Sequence, residues 1–278
     1  MSVIPFRLQQ WIAIGIVCII YSVASLSSLA RAADAVLEVN SGGQSQKFTR
    51  DELLKHPGLR SVEIGNDATY HRAMRYQAIP VAALLPQVQK MNSVQFTALD
   101  GFVANIPGPL LASNAQAWLA IEPADRKWPV LKSGNPATAG PFYLVWLTPE
   151  KAGVSNEQWP YQIARIAESQ ALESRHPQLL PKTGPDSAEQ RGLKVFVTNC
   201  AVCHQINGGG DAAIGPDLNR PYNPTEYFQE AYLRKLIRDP ASVRSWKQSA
   251  MPGFNDSVLL EADLNDLVLY LKQMAKQR

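Results

Sequence analysis

Cysteine is scarce in this chain. Its 278 residues contain three cysteines, Cys18, Cys200 and Cys203. Cys18 lies in an apolar N-terminal stretch, so removal of that stretch would leave a single pair. One pair is too few for a framework of structural disulfides.

An excess of charge of one sign is also absent. There are 27 basic and 24 acidic residues, which gives a net charge of +3. Two of the basic residues, Arg7 and Arg31, fall in the N-terminal region, and the rest of the chain is close to neutral. This balance gives no reason to expect a nucleic-acid partner. The hydrophobic content of 46% is typical of folded protein, and the length suggests two domains.

The N-terminus has the pattern of an export signal. Arg7 precedes an uncharged stretch from Leu8 to Ala30, and Ala30-Arg31-Ala32 fits a small-x-small cleavage site. We therefore expect residues 1–32 to be a signal peptide. An uncleaved membrane anchor is the alternative, because the stretch is long enough to span a bilayer. Both interpretations place the rest of the chain outside the cytoplasm, in the periplasm or an equivalent oxidising compartment.

Residues 34–175 are expected to form an α+β domain. Asp100-Gly101 lies between two β-prone runs and predicts a hairpin. The other predicted elements are a short helix TRDELLKH with the capping box Thr49/Glu52, a helical stretch Ile79–Lys90 interrupted by Pro86, and strands at 118–122 and 142–146.

The chain changes character after residue 175. The Pro- and Gly-rich segment 176–186 is predicted to be an interdomain linker, and residues 187–278 a helical domain. Three helices are expected there: one capped by Ser187 with Gln190, one over Thr225–Arg238, and one over Leu259–Lys276. The last has an apolar stripe at helical spacing: Leu264, Leu267, Val268, Leu271 and Met274.

Cys200-Ala201-Val202-Cys203-His204 is the motif that carries chemistry. C-x-x-C-H is the attachment sequence for c-type haem, in which both thiols add to the haem vinyl groups and the histidine binds iron. A thioredoxin-type redox pair would need a βαβ context, and a zinc site would need a second pair of Cys or His ligands. Neither is present in the sequence, so one covalent haem c is expected.

The flanks of this motif resemble the small class I cytochrome c domains. The matching features over residues 187–278 are the helix before the motif, Gly215-Pro216-Asp217-Leu218, Met251-Pro252-Gly253-Phe254, and the closing helix DLNDLVLYLKQM. The resemblance implies an all-α fold with His204 and Met251 as the iron ligands. It also implies that Pro216 packs beside His204 and that a nearby backbone carbonyl orients the imidazole. Met/His ligation suits electron transfer with a redox partner protein.

Several residues of the haem domain have two interpretations. Met251 could instead fill a gap in the core, and Met274 is its competitor as a ligand. Trp246 is a candidate donor to a haem propionate, with core packing as the alternative, and Arg220 is a weaker candidate for the same role.

Phe196 and Tyr270 are expected to form walls of the haem crevice. The remaining histidines, His56, His71 and His176, are expected to be structural or on the surface.

Residues 34–175 resemble, more faintly, the molybdopterin-binding domain of the sulfite oxidase type. The features are Tyr76-x-x-Ile79-Pro80-Val81, Ala98-Leu99-Asp100-Gly101-Phe102, Ala117-Trp118-Leu119-Ala120 and Gly140-Pro141-Phe142-Tyr143-Leu144-Val145. Catalytic members of that family hold molybdenum through a cysteine thiolate, and residues 34–199 contain no cysteine. The resemblance therefore implies a shortened, non-catalytic docking or scaffold domain, with molybdopterin not expected.

Two functional classes follow from these observations. The first is an electron carrier, or the cytochrome subunit of a larger complex, with a binding domain attached and no catalytic residues. The second is a self-contained molybdenum-dependent dehydrogenase, acting on a substrate such as sulfite and passing electrons to its own haem. The missing thiolate favours the first class. A haem-based sensor is a third, lesser possibility.

Overall fold

The computed structural model describes residues 35–244 and 251–278. An N-terminal α+β part with two sheets is followed by a helical part. The predicted signal peptide or anchor falls within residues 1–34 and so lies outside the described residues. In the described ranges, no helix is long and apolar enough to cross a membrane.

Nine strands of the described chain form two sheets. The strands are β1 Val36–Ser41, β2 Gln44–Thr49, β3 Arg60–Ile64, β4 Met74–Pro80, β5 Ser93–Ala98, β6 Val103–Ile106, β7 Ala117–Ile121, β8 Phe142–Trp146 and β9 Ile163–Ser169. One sheet has the order β2-β1-β9-β5-β6, and the other has the order β3-β4-β7-β8. All neighbouring strands are antiparallel except β1 and β9, which are parallel.

The helices of the described residues are short in the first part and longer in the second. They are α1 Arg50–Leu54, α2 Val81–Leu84, α3 Gly108–Leu111, α4 Leu172–Arg175, α5 Ala188–Asn199, α6 Pro224–Tyr227, α7 Glu230–Arg238, α8 Pro240–Val243 and α9 Glu261–Ala275. Single 3-10 turns lie at Val88–Lys90, Pro149–Ala152, Asn156–Gln158 and Pro177–Leu179. The longest pair, α5 and α9, pack against each other.

A buried carboxylate lies within the core of the sheets. Asp67 is fully buried and accepts hydrogen bonds from the hydroxyls of Tyr76 and Tyr143, at 2.8 and 3.1 Å. It also accepts from the backbone N–H groups of Thr69 and Tyr70. Four donors offset the cost of removing a charge from water, so this carboxylate ties the 67–70 loop to β4 and β8.

Most sequence-based predictions for the sheet region are confirmed. The hairpin at Asp100-Gly101 is β5–β6, the two later strands are β7 and β8, and Thr49 and Glu52 form the expected capping box. The prediction of a helical stretch over Ile79–Lys90 is wrong for its first two residues. Ile79 and Pro80 belong to β4, and only the two short turns around Pro86 are helical, because proline removes an N–H donor and clashes with the preceding turn.

The predicted helix Thr225–Arg238 is two helices. Phe228 has extended backbone angles and separates α6 from α7. The break turns the Phe228 ring toward the helical core while Tyr227 stays exposed.

The helix over Leu259–Lys276 is confirmed as α9, and its five predicted stripe residues are all buried. Ser187 caps α5, but Gln190 bonds Pro181 O instead of closing a capping box.

The segment 176–186, predicted as an interdomain linker, lies against the helical part. Leu179 is fully buried in the helical core, and its carbonyl accepts the Tyr270 hydroxyl at 2.9 Å. Leu172, which precedes this segment, belongs to the same core. The segment is therefore packed against α9, while the exact boundaries of the two domains stay a prediction.

Strand β6 joins the two parts of the molecule. It is the edge strand of its sheet, yet all four of its residues are buried. The Val103 N–H donates to the carbonyl of Val202 at 3.3 Å. Val202 itself is 3% exposed and belongs to the core of the sheets. The helical part thus covers a sheet edge that would otherwise be open to pairing with another chain.

A cluster of polar side chains around Asp211 also stabilises the contact between β6 and the helical part. Arg175 donates two hydrogen bonds to the Asp211 carboxylate, at 2.5 and 2.7 Å. His176 lies 3.1 Å from it, and Asn105 of β6 donates at 3.0 Å. Burial opposes ionisation of this carboxylate, but these partners outweigh it and lower the pKa of Asp211 from its ordinary value of 3.8 to about 2.

We predict that Asp211→Asn lowers the free energy of unfolding by about 2 kcal/mol at neutral pH, since it leaves the Arg175 guanidinium without its charged partner. Folding lowers the pKa of Asp211, so its stabilisation is present above about pH 4 and is lost as the pH falls through about 2. The difference between wild type and variant should shrink over that range.

Urea unfolding at a series of pH values measures this difference. Glu63→Gln is the matched control, because the Glu63–Arg75 pair has side chains 62% and 73% exposed and should contribute little. Equal losses for both variants would contradict a special role for Asp211.

Candidate functional site

The candidate site begins where α5 ends. Ser187 caps the start of the helix by accepting the Gln190 N–H at 3.2 Å. Leu193 and Phe196 are buried in the helical core, and the Phe196 ring lies 5.6 Å from that of Tyr270. Phe196 and Tyr270 were expected at a haem crevice wall, and the structure places both in this core. The helix therefore enters the C-x-x-C-H motif with its direction fixed by packing.

The motif continues the helix as a tight turn. The Cys200 N–H donates to Phe196 O, and the carbonyl of Cys200 accepts from the N–H groups of both Cys203 and His204, at 3.0 and 2.8 Å. The two thiols are free and half-buried. This turn places both sulfurs and the imidazole next to one another on a single, hydrogen-bonded segment.

The His204 ring is oriented by a backbone carbonyl. Its Nδ1 lies 2.8 Å from the Pro216 carbonyl oxygen. A carbonyl only accepts, so Nδ1 carries the proton and Nε2 keeps the free lone pair. Burial lowers the pKa of His204, against the effect of the Pro216 bond, and so favours the neutral ring. A neutral imidazole with its second nitrogen held in this way is the form that binds metals.

Gly215 leaves room for the His204 imidazole because it has no side chain. A Cβ at this position would lie 2.4 Å from His204 Cε1 and 2.6 Å from Nδ1, so any side chain would collide with the ring. The Gly215 N–H also donates to the Cys203 carbonyl at 2.9 Å. Gly215 and Pro216 together therefore brace the motif on one side.

The two thiols are poor nucleophiles in this fold. Burial is the main cause that raises the pKa of Cys200 and of Cys203 to about 12, and the negative charge of Glu157 adds to it. Reactive redox cysteines have lowered pKa values instead. The environment of the pair thus argues against a thioredoxin-type role.

The two candidate methionines have different surroundings. Met274 is fully buried in the helical core, and its sulfur lies 3.1 Å from the Gln277 amide nitrogen. Met251 is 37% exposed and precedes a loop held by the Phe254 N–H, which donates to Ile237 O at 3.0 Å. Met251 is therefore the one of the two that is free of core packing.

Buried asparagines hold the loop that follows the motif, and sequence reasoning missed them. Asn219 and Asn223 are fully buried and bonded to each other at 2.9 Å. Their amides donate to the carbonyls of Met274 and Leu271 in α9. Asp217 accepts from the N–H groups of Asn207, Gly208 and Asn219. Asparagine and aspartate in loops are common, so only the fold reveals these contacts.

The sheet-containing part also contributes to the site, which the sequence did not reveal. Cys203 packs against the core of the sheets, beside Val202. The charges of Glu157 and Asp100 act on Cys203, and Glu157 acts on Cys200 as well. These acidic residues lie about 40 to 100 positions before the motif in the chain, and no local pattern links them to it.

The other predicted residues take varied positions. Trp246 lies outside the described residues. Arg220 is exposed beside Gly208, with a guanidinium nitrogen 3.1 Å from where a Gly208 Cβ would be. His176 contacts Asp211, and His71 is exposed. His56 Nδ1 accepts the Gly58 N–H at 3.0 Å, which fits the structural role expected for it.

Comparisons with known proteins agree with this geometry. Residues 189–275 match the family model for cytochrome c. Cytochrome c of Theileria annulata is 26% identical over 109 residues, covering 34% of this chain and 91% of that protein. Cytochrome c of Theileria parva is 25% identical over 109 residues, with the same coverage. The C-terminal part is thus a cytochrome c domain.

The residues present fit a covalent haem c. Two free thiols lie at the spacing of the attachment motif, and the imidazole beside them offers a free Nε2. The space for that ring depends on a glycine that no other residue could replace. Thiol, imidazole and thioether are donors that suit haem iron and its vinyl groups.

We predict that Gly215→Ala displaces the His204 imidazole and abolishes or weakens the low-spin haem spectrum, because the added Cβ would meet the ring at 2.4 Å. Visible absorption of the purified holoprotein measures this. Gly184→Ala is the matched control, since nothing lies within 4 Å of a Cβ there. An unchanged spectrum in Gly215→Ala would show that the loop does not position His204.

Proposed function

We propose that this protein carries single electrons through one covalent haem c and exchanges them with a redox partner protein. A cytochrome c domain indicates haem-based electron transfer and implies redox partners in general. The observation that carries the proposal is the His204 ring with Nδ1 bound to the Pro216 carbonyl and Nε2 free, next to two free thiols.

Each residue of the site has a distinct task. Cys200 and Cys203 would hold the haem by thioether bonds, and His204 and Met251 would bind its iron. Pro216 fixes the tautomer and direction of the imidazole. Trp246 is a candidate to hold a propionate. The haem supplies a one-electron couple, and a methionine ligand raises its reduction potential.

The N-terminal α+β part is proposed to be a non-catalytic docking or scaffold domain. Its β6 edge covers the Val202 side of the attachment motif, so it holds the haem domain in one orientation. A shortened relative of the sulfite-oxidase-type molybdopterin domain is the origin we propose for it. Export by the N-terminal signal would place the protein in the periplasm, cleaved or tethered to the membrane.

The alternative function is a molybdenum-dependent dehydrogenase that reduces its own haem. Sulfite-oxidase-type sites use a protein thiolate, which the sheet-containing part lacks. Soft thiolate ligands are not readily replaced by histidine or carboxylate. This chemistry favours the electron carrier.

We predict that Met251→His keeps low-spin haem but lowers the reduction potential, because imidazole is the more basic donor and favours ferric iron. The weak absorption band of ferric haem at the red edge of the visible spectrum, which reports the iron–thioether bond, should disappear. Met274→Leu is the control and should keep that band, since Met274 is a core residue. A band that survives in Met251→His would show that Met251 is not the ligand.

We also predict that the pure protein, matured with haem-ligation machinery, contains iron in a one-to-one ratio and no molybdenum. The haem should stay on the polypeptide through acid–acetone extraction and denaturing electrophoresis, and sulfite alone should not reduce it. Metal analysis and a haem stain measure this. Haem lost on extraction would refute the covalent site, and stoichiometric molybdenum or sulfite-dependent reduction would favour the alternative.

A further inference from the structure

The 3-10 turn Asn156–Gln158 of the sheet-containing part is fastened to the end of the haem-attachment helix. The Ser155 hydroxyl donates to Asn199 Oδ1 at 2.5 Å, and Asn199 in turn donates to Val195 O in α5. Ser155 also caps the turn, and its N–H donates to Gln158 Oε1 at 2.9 Å. Asn199 directly precedes Cys200, so Glu157 is held close to the first thiol.

The charge of Glu157 acts on both attachment residues. Its side chain is half-buried, and that burial raises the pKa of Glu157 to about 7. After burial, its charge is the next largest cause that raises the thiol pKa values of Cys200 and Cys203. Asp100, at the tip of the β5–β6 hairpin, acts on Cys203 in the same direction.

The field around the thiols is therefore negative. The charge of Glu157 acts on Tyr161 and on the two cysteines, and none of these three groups is a cation. Thioethers do not titrate, so with haem attached these carboxylates would remain as the charges beside Cys200 and Cys203.

We propose that the Glu157 carboxylate, supplied by the sheet-containing part, lowers the reduction potential of the haem held by Cys200 and Cys203. This inference rests on the proposed function. Ferric haem carries one more positive charge than ferrous haem, so a nearby carboxylate stabilises the ferric form. Glu157 acts through the electric field of its charge and not as an iron ligand.

The test compares reduction potentials of holoprotein variants by spectroelectrochemical titration. Glu157→Gln should shift the redox equilibrium by about tenfold toward reduced haem, which corresponds to about 59 mV for one electron. Glu157→Asp keeps the charge and should shift it less. Glu150→Gln is the matched control, because Glu150 is exposed on the preceding 3-10 turn, and it should leave the potential unchanged.

The pH dependence gives a second readout that a merely structural role would not move. Because the pKa of Glu157 is about 7, its carboxylate is mostly charged at about pH 8 and mostly neutral at about pH 6. The difference in potential between wild type and Glu157→Gln should therefore be larger at about pH 8 than at about pH 6.

The outcomes separate this inference from the proposed function. If Glu157→Gln keeps the haem and the iron–thioether band but has the wild-type potential, the inference is wrong and the proposed function stands. An equal shift in Glu150→Gln would also refute it. If Glu157→Gln does not fold, the wild-type protein decides: its potential should fall as the pH rises through about 7, where Glu157 ionises. A potential that stays constant between about pH 6 and about pH 8 overturns the inference.

Discussion

The contact between β6 and the attachment motif is the constraint on which the rest of the structure depends. A single backbone hydrogen bond, from Val103 to Val202, joins a sheet edge to the turn between the two cysteines. Around it, Val202 is buried in the core of the sheets, although it belongs to the helical part by sequence. Separation of the attachment motif from β6 would therefore open a sheet edge to solvent.

The two parts are also interleaved along the chain. Leu172, on the sheet side of the predicted linker, belongs to the helical core, and Val202 belongs to the core of the sheets. A cut at residue 176 would remove Leu172 from one core, and loss of the sheets would expose Val202 and Cys203. The N-terminal part is thus a structural component of the haem site, whatever partner it contacts.

Local chemistry explains how much of this fold the sequence could predict. The hairpin has an Asp-Gly turn, β8 is five consecutive bulky residues, and α9 has a complete apolar stripe; each signal lies within one segment. Strands β1 to β4 and β9 were not predicted. Strand β2, with the sequence QSQKFT, is a largely exposed edge strand, and its burial pattern has no alternation to detect.

The residues of the candidate site also fall into two groups: those that a local sequence pattern reveals and those that only the fold brings together. The C-x-x-C-H motif and the glycine and proline after it are contiguous patterns, so the attachment residues and the orienting loop could be found from the sequence. The resemblance already implies Met251 as the ligand. Met251 is 37% exposed and Met274 is fully buried, and the choice between them stays a prediction. The contacts of Asp211, Asn219 and Glu157 span long distances along the chain, and only the folded structure brings their partners together.

Two carboxylates at the same junction differ in environment, and the difference assigns their roles. Asp211 has an arginine, a histidine and an asparagine as partners, and its pKa falls to about 2. Among the described residues Glu157 has no such partner, and partial burial raises its pKa to about 7. A carboxylate neutralised by an arginine exerts little field at a distance, so Asp211 serves to hold the two parts together. The charge of Glu157 is not compensated in this way, and it is directed at the residues that would carry the haem. Stability and redox tuning are thereby separated between two acidic residues of one interface.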